Sequence, residues 1–457
     1  MSKQIIIVGA GLVGSLLACY MSRRGYRVKV YERRADMRVA GYSGGRSINL
    51  ALSHRGIKAL KKIGIYEKVA PIAIPMYGRL IHDVKGQTQF LPYGKEGQAI
   101  YSISRGELNR LMVEEADRFP DVDFYFDHRC TNLDFDTNTV YFENLSTREK
   151  ISVTGDVIFG SDGAYSQVRY LMQITPNYNL HQQHEHYAYK ELHISPGPGG
   201  EHLLEKNALH IWPRGGFMLI ALPNTDGSFT VTLFNNLEGE NSFAELHDES
   251  SVNRFFEKFF PDALALMPDL TETFFKNPTS SLVTIRCYPW RYKNTCLIGD
   301  AAHAIVPFYG QGMNCGFEDV YELDNLLDLH REDWDKTLEQ FQKIRKPNGD
   351  AILELALQNY IEMRDLSGRE DFQLRLKIER RIAEAFPDRF MTHYSMVTFS
   401  HLSYHEAKIR AEKQNELLDE IMRIEGIAHK WQSEEVLRMA DEWLQRNAPQ
   451  NQTYLKS

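Results

Sequence analysis

An apolar run that breaks directly into a patterned set of glycines, with an echo of the same pattern far downstream, constrains this chain more than any other feature. Ile5-Ile6-Ile7-Val8 leads into Gly9-Ala10-Gly11-Leu12-Val13-Gly14. This order predicts a strand, a tight turn and a helix. Gly9 makes the turn, Gly11 lets the backbone approach a pyrophosphate, and Gly14 lets the helix pack on its sheet. The pyrophosphate then meets a helix N-terminus, where free N–H groups and the dipole favour negative charge. A helix is expected over 15–24, stopped by Gly25, and Arg27-Val28-Lys29-Val30-Tyr31 reads as the next strand. It ends at Glu32, at the spacing where a carboxylate binds ribose hydroxyls. An acid there repels a 2′-phosphate, so the adenosine expected here carries none.

The echo is Cys296-Leu297-Ile298-Gly299-Asp300-Ala301-Ala302-His303, followed by Pro307 and Gly310-Gln311-Gly312-Met313-Asn314. Asp300 after Gly299 suits a sugar or ribityl hydroxyl, and it is equally a good helix N-cap; the two roles are compatible. Gly312 and the amides of Met313 and Asn314 are expected to open a helix whose positive end stabilises negative charge on a reduced isoalloxazine. Between the two lies Phe159-Gly160-Ser161-Asp162-Gly163, with Arg169 just beyond. Alone, its Asp-Gly pair is an ordinary turn. Three such segments in this order point to FAD rather than NAD.

Composition removes other classes. A net charge of −8 without a basic cluster argues against nucleic acid. Hydrophobic content of 43% and charged content of 25% are those of an ordinary globular protein. The five cysteines stand singly, with no metal spacing, so no metal site is expected and the thiols read as free in a reducing cytosol. The chain enters a strand almost at once, and no run of about 18 apolar residues occurs, so neither a signal peptide nor a transmembrane anchor is expected.

The first ~80 residues alternate strand and helix as in a βαβ unit. Several β-like runs follow, among them 122–126, 208–212, 217–222 and 229–234, and beyond Gly316 the spacing turns helical. Helices are expected over 319–330, 335–344, 350–363, 369–386 and 405–424. The expectation is an α/β chain: a Rossmann-like FAD-binding domain interrupted by an inserted antiparallel β-sheet that forms a substrate domain, with a C-terminal helical region. The segments expected for the FAD-binding domain are 1–80, 100–175 and 285–330. Those for the sheet are 80–100 and 176–284, and 331–457 is the helical region.

The three motifs, spread over nearly the whole chain, resemble the class A flavoprotein hydroxylases, single-component FAD enzymes that hydroxylate aromatic rings. No second GxGxxG domain is present, as in that family, whose NAD(P)H visits a surface groove. A narrower likeness rests on Gly45-Arg46-Ser47-Ile48-Asn49-Leu50-Ala51-Leu52-Ser53, His210-Ile211-Trp212-Pro213, Thr230-Val231-Thr232-Leu233-Phe234, 306–314 and Tyr394-Ser395-Met396-Val397-Thr398-Phe399. These strings resemble the members of the family that hydroxylate L-kynurenine with NADPH and O2 through a flavin C4a-hydroperoxide. The resemblance implies that Arg79 pairs with the substrate carboxylate and that Tyr93, Asn359 and Tyr394 add hydrogen bonds at that end. It also implies that Leu209, Ile220, Phe234, Pro307 and Phe308 pack the ring. Val13, Ala51 and Arg105 are implied near the FAD, and Asp162 in contact with FAD and the nicotinamide cofactor. No side chain is required as acid or base, because the flavin carries the chemistry.

Without the resemblance these residues read more plainly. A lone arginine is usually a solvated surface charge, and Tyr93, Asn359, Tyr394, Phe234 and Phe308 are ordinary core or surface residues. Other openings are a hydroxylase of a different aromatic acid and a flavin-binding protein without catalysis. Tyr309 stands where relatives carry histidine or phenylalanine. The polar stretch from Trp443 to Ser457 lacks the hydrophobic anchor of animal members, so a cytoplasmic enzyme is expected.

Overall fold

The computed structural model describes residues 3–40 and 49–447. Gly45-Arg46-Ser47-Ile48, the first two residues and the polar 448–457 segment lie outside the described residues.

Strand Gln4–Val8 is buried from Ile5 onward and sits inside a six-stranded sheet. The order across that sheet is Arg291–Tyr292, Thr295–Leu297, Val157–Gly160, Gln4–Val8, Arg27–Tyr31, Val122–Tyr125. All neighbours run parallel except the edge pair formed by Arg291–Tyr292. A strand covered on both faces has no solvent side to mark with polar residues, which is why its sequence is a continuous apolar run. Register then sets the geometry of the site. Val8 pairs with Tyr31 and with Gly160, and Gly160 pairs with Leu297. The carboxyl ends of four strands therefore lie side by side, and the chain leaves them at Gly9, Glu32, Ser161 and, one residue after Ile298, Gly299.

Helix Leu12–Arg23 starts at the fourth motif position, earlier than expected, and stops at Arg24 before Gly25, whose φ of +80° is the left-handed conformation glycine tolerates. It is apolar nearly all round because it lies between the sheet and two further helices, Arg105–Asp117 and Gly312–Leu329.

A second, seven-stranded sheet draws on Gly78–His82, Thr88–Pro92 and the strands from Asn179–Ile194 to Thr279–Tyr288. Its neighbours are antiparallel except Ala208–Pro213, which pairs parallel with Gly78–His82. Both faces are apolar, with strand period 2. Leu209, Ile211, Met218, Ile220 and Phe234 share a core with Phe308 and Tyr360, while Trp212, Leu219, Val231 and Leu233 pack on Phe255, Phe256 and Phe260 of a helical layer. Strand Thr279–Tyr288 runs across the expected boundary at 284/285, because its second half pairs with the start of Asn179–Ile194.

The helices expected over 335–344 and 350–363 are one continuous helix, Trp334–Ile361, with Pro347 inside it. Proline removes one N–H and crowds the preceding turn, the usual mark of a helix end. Here the Asn348 side-chain amide donates to the Ile344 carbonyl at 2.7 Å. Packing along Gly312–Leu329 and Tyr404–Met422 holds both halves in line. A π-helical turn, Glu362–Leu366, follows. No helix among the described residues is long and apolar enough to cross a membrane.

Candidate functional site

The first glycine segment shows three different reasons for glycine. Gly9 has φ +107°, and a Cβ there would lie 2.6 Å from the Ser161 carbonyl oxygen. A Cβ on Gly14 would lie 2.0 Å from the Gly9 carbonyl oxygen, so the helix approaches the turn backbone to backbone. Gly11 differs: its Cβ would meet nothing within 4 Å, because that position opens onto a cavity. Val13 ties this turn to the downstream motif, lying 3.0 Å from where a Gly299 Cβ would stand. In the downstream motif the first helical bond runs from Cys315 N to the Gln311 carbonyl. The amides of Gly312, Met313 and Asn314 precede it and have no intrahelical acceptor. An open glycine cradle at one helix N-terminus and free amides at another fit a dinucleotide with a flavin ring.

The acids divide. Asp300 opens the short helix Asp300–His303 and lines the cavity. Glu32 is buried at its strand end and accepts from Ala10 N and Arg34 N, each at 3.0 Å, which fixes the carboxylate beside the turn. Asp162 is turned away from the cavity. Its carboxylate accepts from Ser166 Oγ at 2.5 Å, Gln167 N at 2.7 Å and Val168 N at 3.2 Å, capping helix Gln167–Met172. Ser161 and Gly163 on either side of it line the cavity instead. Asn314 likewise spends its side chain on structure: its Nδ2 donates to the Ala51 and Gly310 carbonyls and its Oδ1 accepts from Ser53 N.

The cavity has a volume of about 270 Å³ and lies where the two large sheets meet. From the cofactor set it gathers Gly11, Val13, Ala51, Arg105, Asp300, Gly312 and Met313. From the substrate set it gathers Arg79, Tyr93, Leu209, Ile220, Phe234, Pro307, Phe308 and Tyr394. Strand alternation puts Leu209 on the cavity face, and its parallel register with Arg79 puts the arginine beside it. Phe308 meets Phe234 edge-on at 4.8 Å and stacks on Tyr360 at 4.0 Å, giving a rigid apolar wall.

The polar end is built around Arg79. Its Cζ lies 5.6 Å from the Tyr93 ring and 5.1 Å from the Tyr394 ring. Tyr93 stacks on Tyr394 at 4.8 Å, and Tyr394 stacks on Tyr309 at 5.5 Å. Burial pushes all three phenols up, so each stays a neutral hydroxyl donor at neutral pH. Asn359 sits behind the cavity wall; its Oδ1 accepts from Arg79 Nη2 at 3.4 Å and its Nδ2 donates to the Phe308 carbonyl at 2.6 Å. Among the described residues, the buried Nε of Arg79 and hydroxyl of Tyr93 have no well-formed hydrogen bond. Glu362 is the acid that acts electrostatically on Arg79, without a direct ion pair. This arrangement suits a carboxylate ligand: a planar guanidinium flanked by phenol donors at the end of an apolar slot.

Sequence reasoning missed Leu222, Met363 and Asn49, which also line the cavity. Leu222 was findable, since it shares a strand face with Ile220. Met363 carried no local signal, because the turn that aims it is set by the π-helical segment. A second, larger cavity of about 1050 Å³ among the C-terminal helices meets the first at Arg79, Tyr93, Tyr309 and Tyr394.

His303, Cys315 and Asp319 bring possible metal-ligating atoms within 4.8 Å of one another. Arg345 Nε stands 2.7 Å from Asp319 Oδ1, so a fixed positive charge already occupies this group's carboxylate and the cluster is an ion network.

The FAD binding domain family matches residues 2–356. Kynurenine 3-monooxygenase of Flavobacterium psychrophilum is 47% identical over 436 residues, 95% of this chain and 97% of that protein. The Flavobacterium johnsoniae protein of the same name is 46% identical over 446 residues, 97% of this chain and 99% of its own. Among solved structures, 2-methyl-3-hydroxypyridine-5-carboxylic acid oxygenase superposes with a TM-score of 0.65 at 17% identity, covering 83% of this chain and 97% of that one, a likeness of fold. An FAD cradle at the strand ends, an apolar slot with an arginine at its far end, and relatives matched over almost their full length place the chain in one family: it belongs to the kynurenine 3-monooxygenases, FAD-dependent monooxygenases that use NADPH.

Proposed function

We propose that the protein hydroxylates L-kynurenine at the ring carbon beside the aniline nitrogen: L-kynurenine, NADPH, H⁺ and O2 give 3-hydroxykynurenine, NADP⁺ and water. The observation that carries this reading is the polarity of the cavity, with the Arg79 cluster at one end, apolar walls between, and the glycine cradle at the other. FAD, when bound, supplies activation of dioxygen and delivery of one oxygen atom. Gly9, Gly11 and Gly14 shape the pyrophosphate cradle, Glu32 and Asp300 offer carboxylates to sugar and ribityl hydroxyls, and Arg105, Val13 and Ala51 wall the cofactor. The amides of Gly312, Met313 and Asn314 supply partial positive charge toward the ring system.

Arg79 takes the amino-acid carboxylate, with Tyr93 and Tyr394 donating beside it and Asn359 steadying the guanidinium. Leu209, Ile220, Phe234, Pro307 and Phe308 hold the aromatic ring and keep water from it. The ring's own amino group activates the reacting carbon, so no side chain is needed as acid or base. On this reading 1–80, 100–175 and 285–330 serve the cofactor, 80–100 and 176–284 the substrate, and 331–457 covers the polar end. Five buried free cysteines support a cytoplasmic setting. The test is a panel of aromatic amino acids and aromatic acids scored by stimulated NADPH oxidation. L-kynurenine is expected to give the largest stimulation, and a larger response to an acid such as salicylate would reassign the substrate.

A further inference from the structure

Behind the strand that carries Arg79 lies a hydrogen-bonded chain that the proposed reaction does not use. Side chains alternate along Gly78–His82, so Arg79 and Ile81 meet the cavity side while His82 faces helix Pro261–Leu264. His82 Nδ1 lies 3.0 Å from Asp262 Oδ2, and His82 Nε2 lies 2.9 Å from His210 Nδ1. His210 Nε2 lies 2.8 Å from the Glu205 carbonyl oxygen. Trp212 Nε1 donates to the same Asp262 oxygen at 2.8 Å, and the Trp212 ring stacks on His82 at 4.0 Å. Both imidazoles are buried.

This chain ends on an acceptor at each side, a carboxylate and a carbonyl. Three hydrogen bonds require three ring protons, whereas two neutral imidazoles carry only two. We infer that the His82–His210 pair holds one extra proton and that this charged clasp positions the strand bearing Arg79.

The surrounding groups agree. Burial pushes His210 down to about 4, making it the neutral member. Burial opposes charge on Asp262 as well, but hydrogen bonds from His82 and Trp212 hold its carboxyl below the usual range. The Asp262 carboxylate and the indole face both lie against the other ring, His82. The remaining charged groups nearby are Arg214, which donates to the His82 and Asp83 carbonyls at 3.0 and 3.2 Å, and the Asp83 carboxylate. His202 stands beyond the Phe229 ring, and Glu205 contributes its carbonyl.

The clasp joins the two strands of the sheet's parallel pair, Gly78–His82 and Ala208–Pro213, to the helix behind them. Arg79 lies against the Tyr93 and Tyr394 rings and donates one long hydrogen bond to Asn359, and the position of its strand sets how it reaches them. His82, His210 and Asp262 are thus positioning residues for the polar end, an inference that rests on Arg79 as the carboxylate anchor.

Two measurements on the FAD-loaded enzyme test this. With histidine labelled by nitrogen-15, NMR near pH ~6 should show one buried ring with both nitrogens protonated, hydrogen-bonded to a neutral ring, and the charged signal should vanish in His82→Gln. Two neutral rings in the wild type would overturn the inference. In steady-state kinetics near pH ~6, His82→Gln should raise the KM for L-kynurenine some three- to tenfold over the wild type, with little change in kcat. Asp262→Asn keeps an acceptor for Trp212 but removes the charge, and should show the same raised KM. Variants whose KM equals that of the wild type refute the clasp. Should kynurenine fail to stimulate NADPH oxidation at all, the substrate reading falls, and the ring-proton count still decides the clasp.

Discussion

At the scale of single residues, Gly11 and Arg79 bear the most weight, and each permits a clean substitution. A Cβ at Gly11 meets no protein atom within 4 Å, so Gly11→Val is expected to fold and to block what enters the cavity. The variant is expected to purify with an unchanged circular dichroism spectrum and without FAD absorbance; a fully yellow Gly11→Val protein would detach this turn from the cofactor. Gly14 offers no such test, since a Cβ there would collide with the Gly9 backbone. Arg79→Ala removes a charge-assisted pair from a desolvated site, worth about 1.5–3 kcal/mol, or roughly 10- to 150-fold in KM for kynurenine. FAD content should stay the same. An unchanged KM would return Arg79 to an ordinary partly buried charge.

At the scale of elements, helix Gly312–Leu329 is the piece on which cofactor and cap both depend. Glu318 and Asp319 are held by Arg345 of the long helix, Glu318 also by Arg55, and Asp319 by His303 at 2.5 Å. Asp319 further accepts from Gly299 N at 3.2 Å, which anchors the downstream glycine turn. Breaking one member strands its partners in a buried site, so Arg345→Met should cost about 3–5 kcal/mol, read as a lowered Tm and weaker FAD retention. The pH dependence follows from signs. Burial raises both acids, but their cationic neighbours outweigh it and hold them below the ordinary range, so their contribution is present above about pH 4.5 and is lost on acidification. Burial lowers His303, but Asp319 outweighs it and raises His303 well above 6.5, so its contribution is complete below about pH 6.5 and declines as pH rises. Tm should therefore peak between about pH 4.5 and 6.5, and His303→Gln should flatten the alkaline side. Local rules made much of this legible. Strand, turn and helix around Gly9, and the helix opening at Gly312, follow from glycine spacing alone. The break expected at Pro347 does not occur, because packing on two neighbouring helices outweighs a local preference. Asp162 shows the same boundary at the site: the family resemblance implied an acid near the cofactor, while the chain direction after Gly163 brings three donors to its carboxylate.

At the scale of the whole molecule, the cavity is closed by parts distant in sequence. Arg79 and Tyr93 come from the first hundred residues, while Asn359 and Tyr394 come from the C-terminal helices, and these side chains touch. A ligand that binds this cluster favours the arrangement in which it is assembled. Kynurenine is therefore expected to accelerate NADPH-dependent flavin reduction at least ~10-fold, about 1.4 kcal/mol of barrier, in anaerobic stopped-flow. Tyr394→Ala should reduce that stimulation more than it weakens NADPH binding, and equal rates with and without kynurenine would remove the coupling. Product analysis tests the hydroxylation most directly: FAD-loaded protein, NADPH and O2 are mixed with L-kynurenine, and product formed is compared with NADPH consumed. Kynurenine-dependent NADPH oxidation is expected, with 3-hydroxykynurenine appearing in proportion. NADPH oxidation that ignores kynurenine, or that leaves kynurenine unchanged, would contradict it.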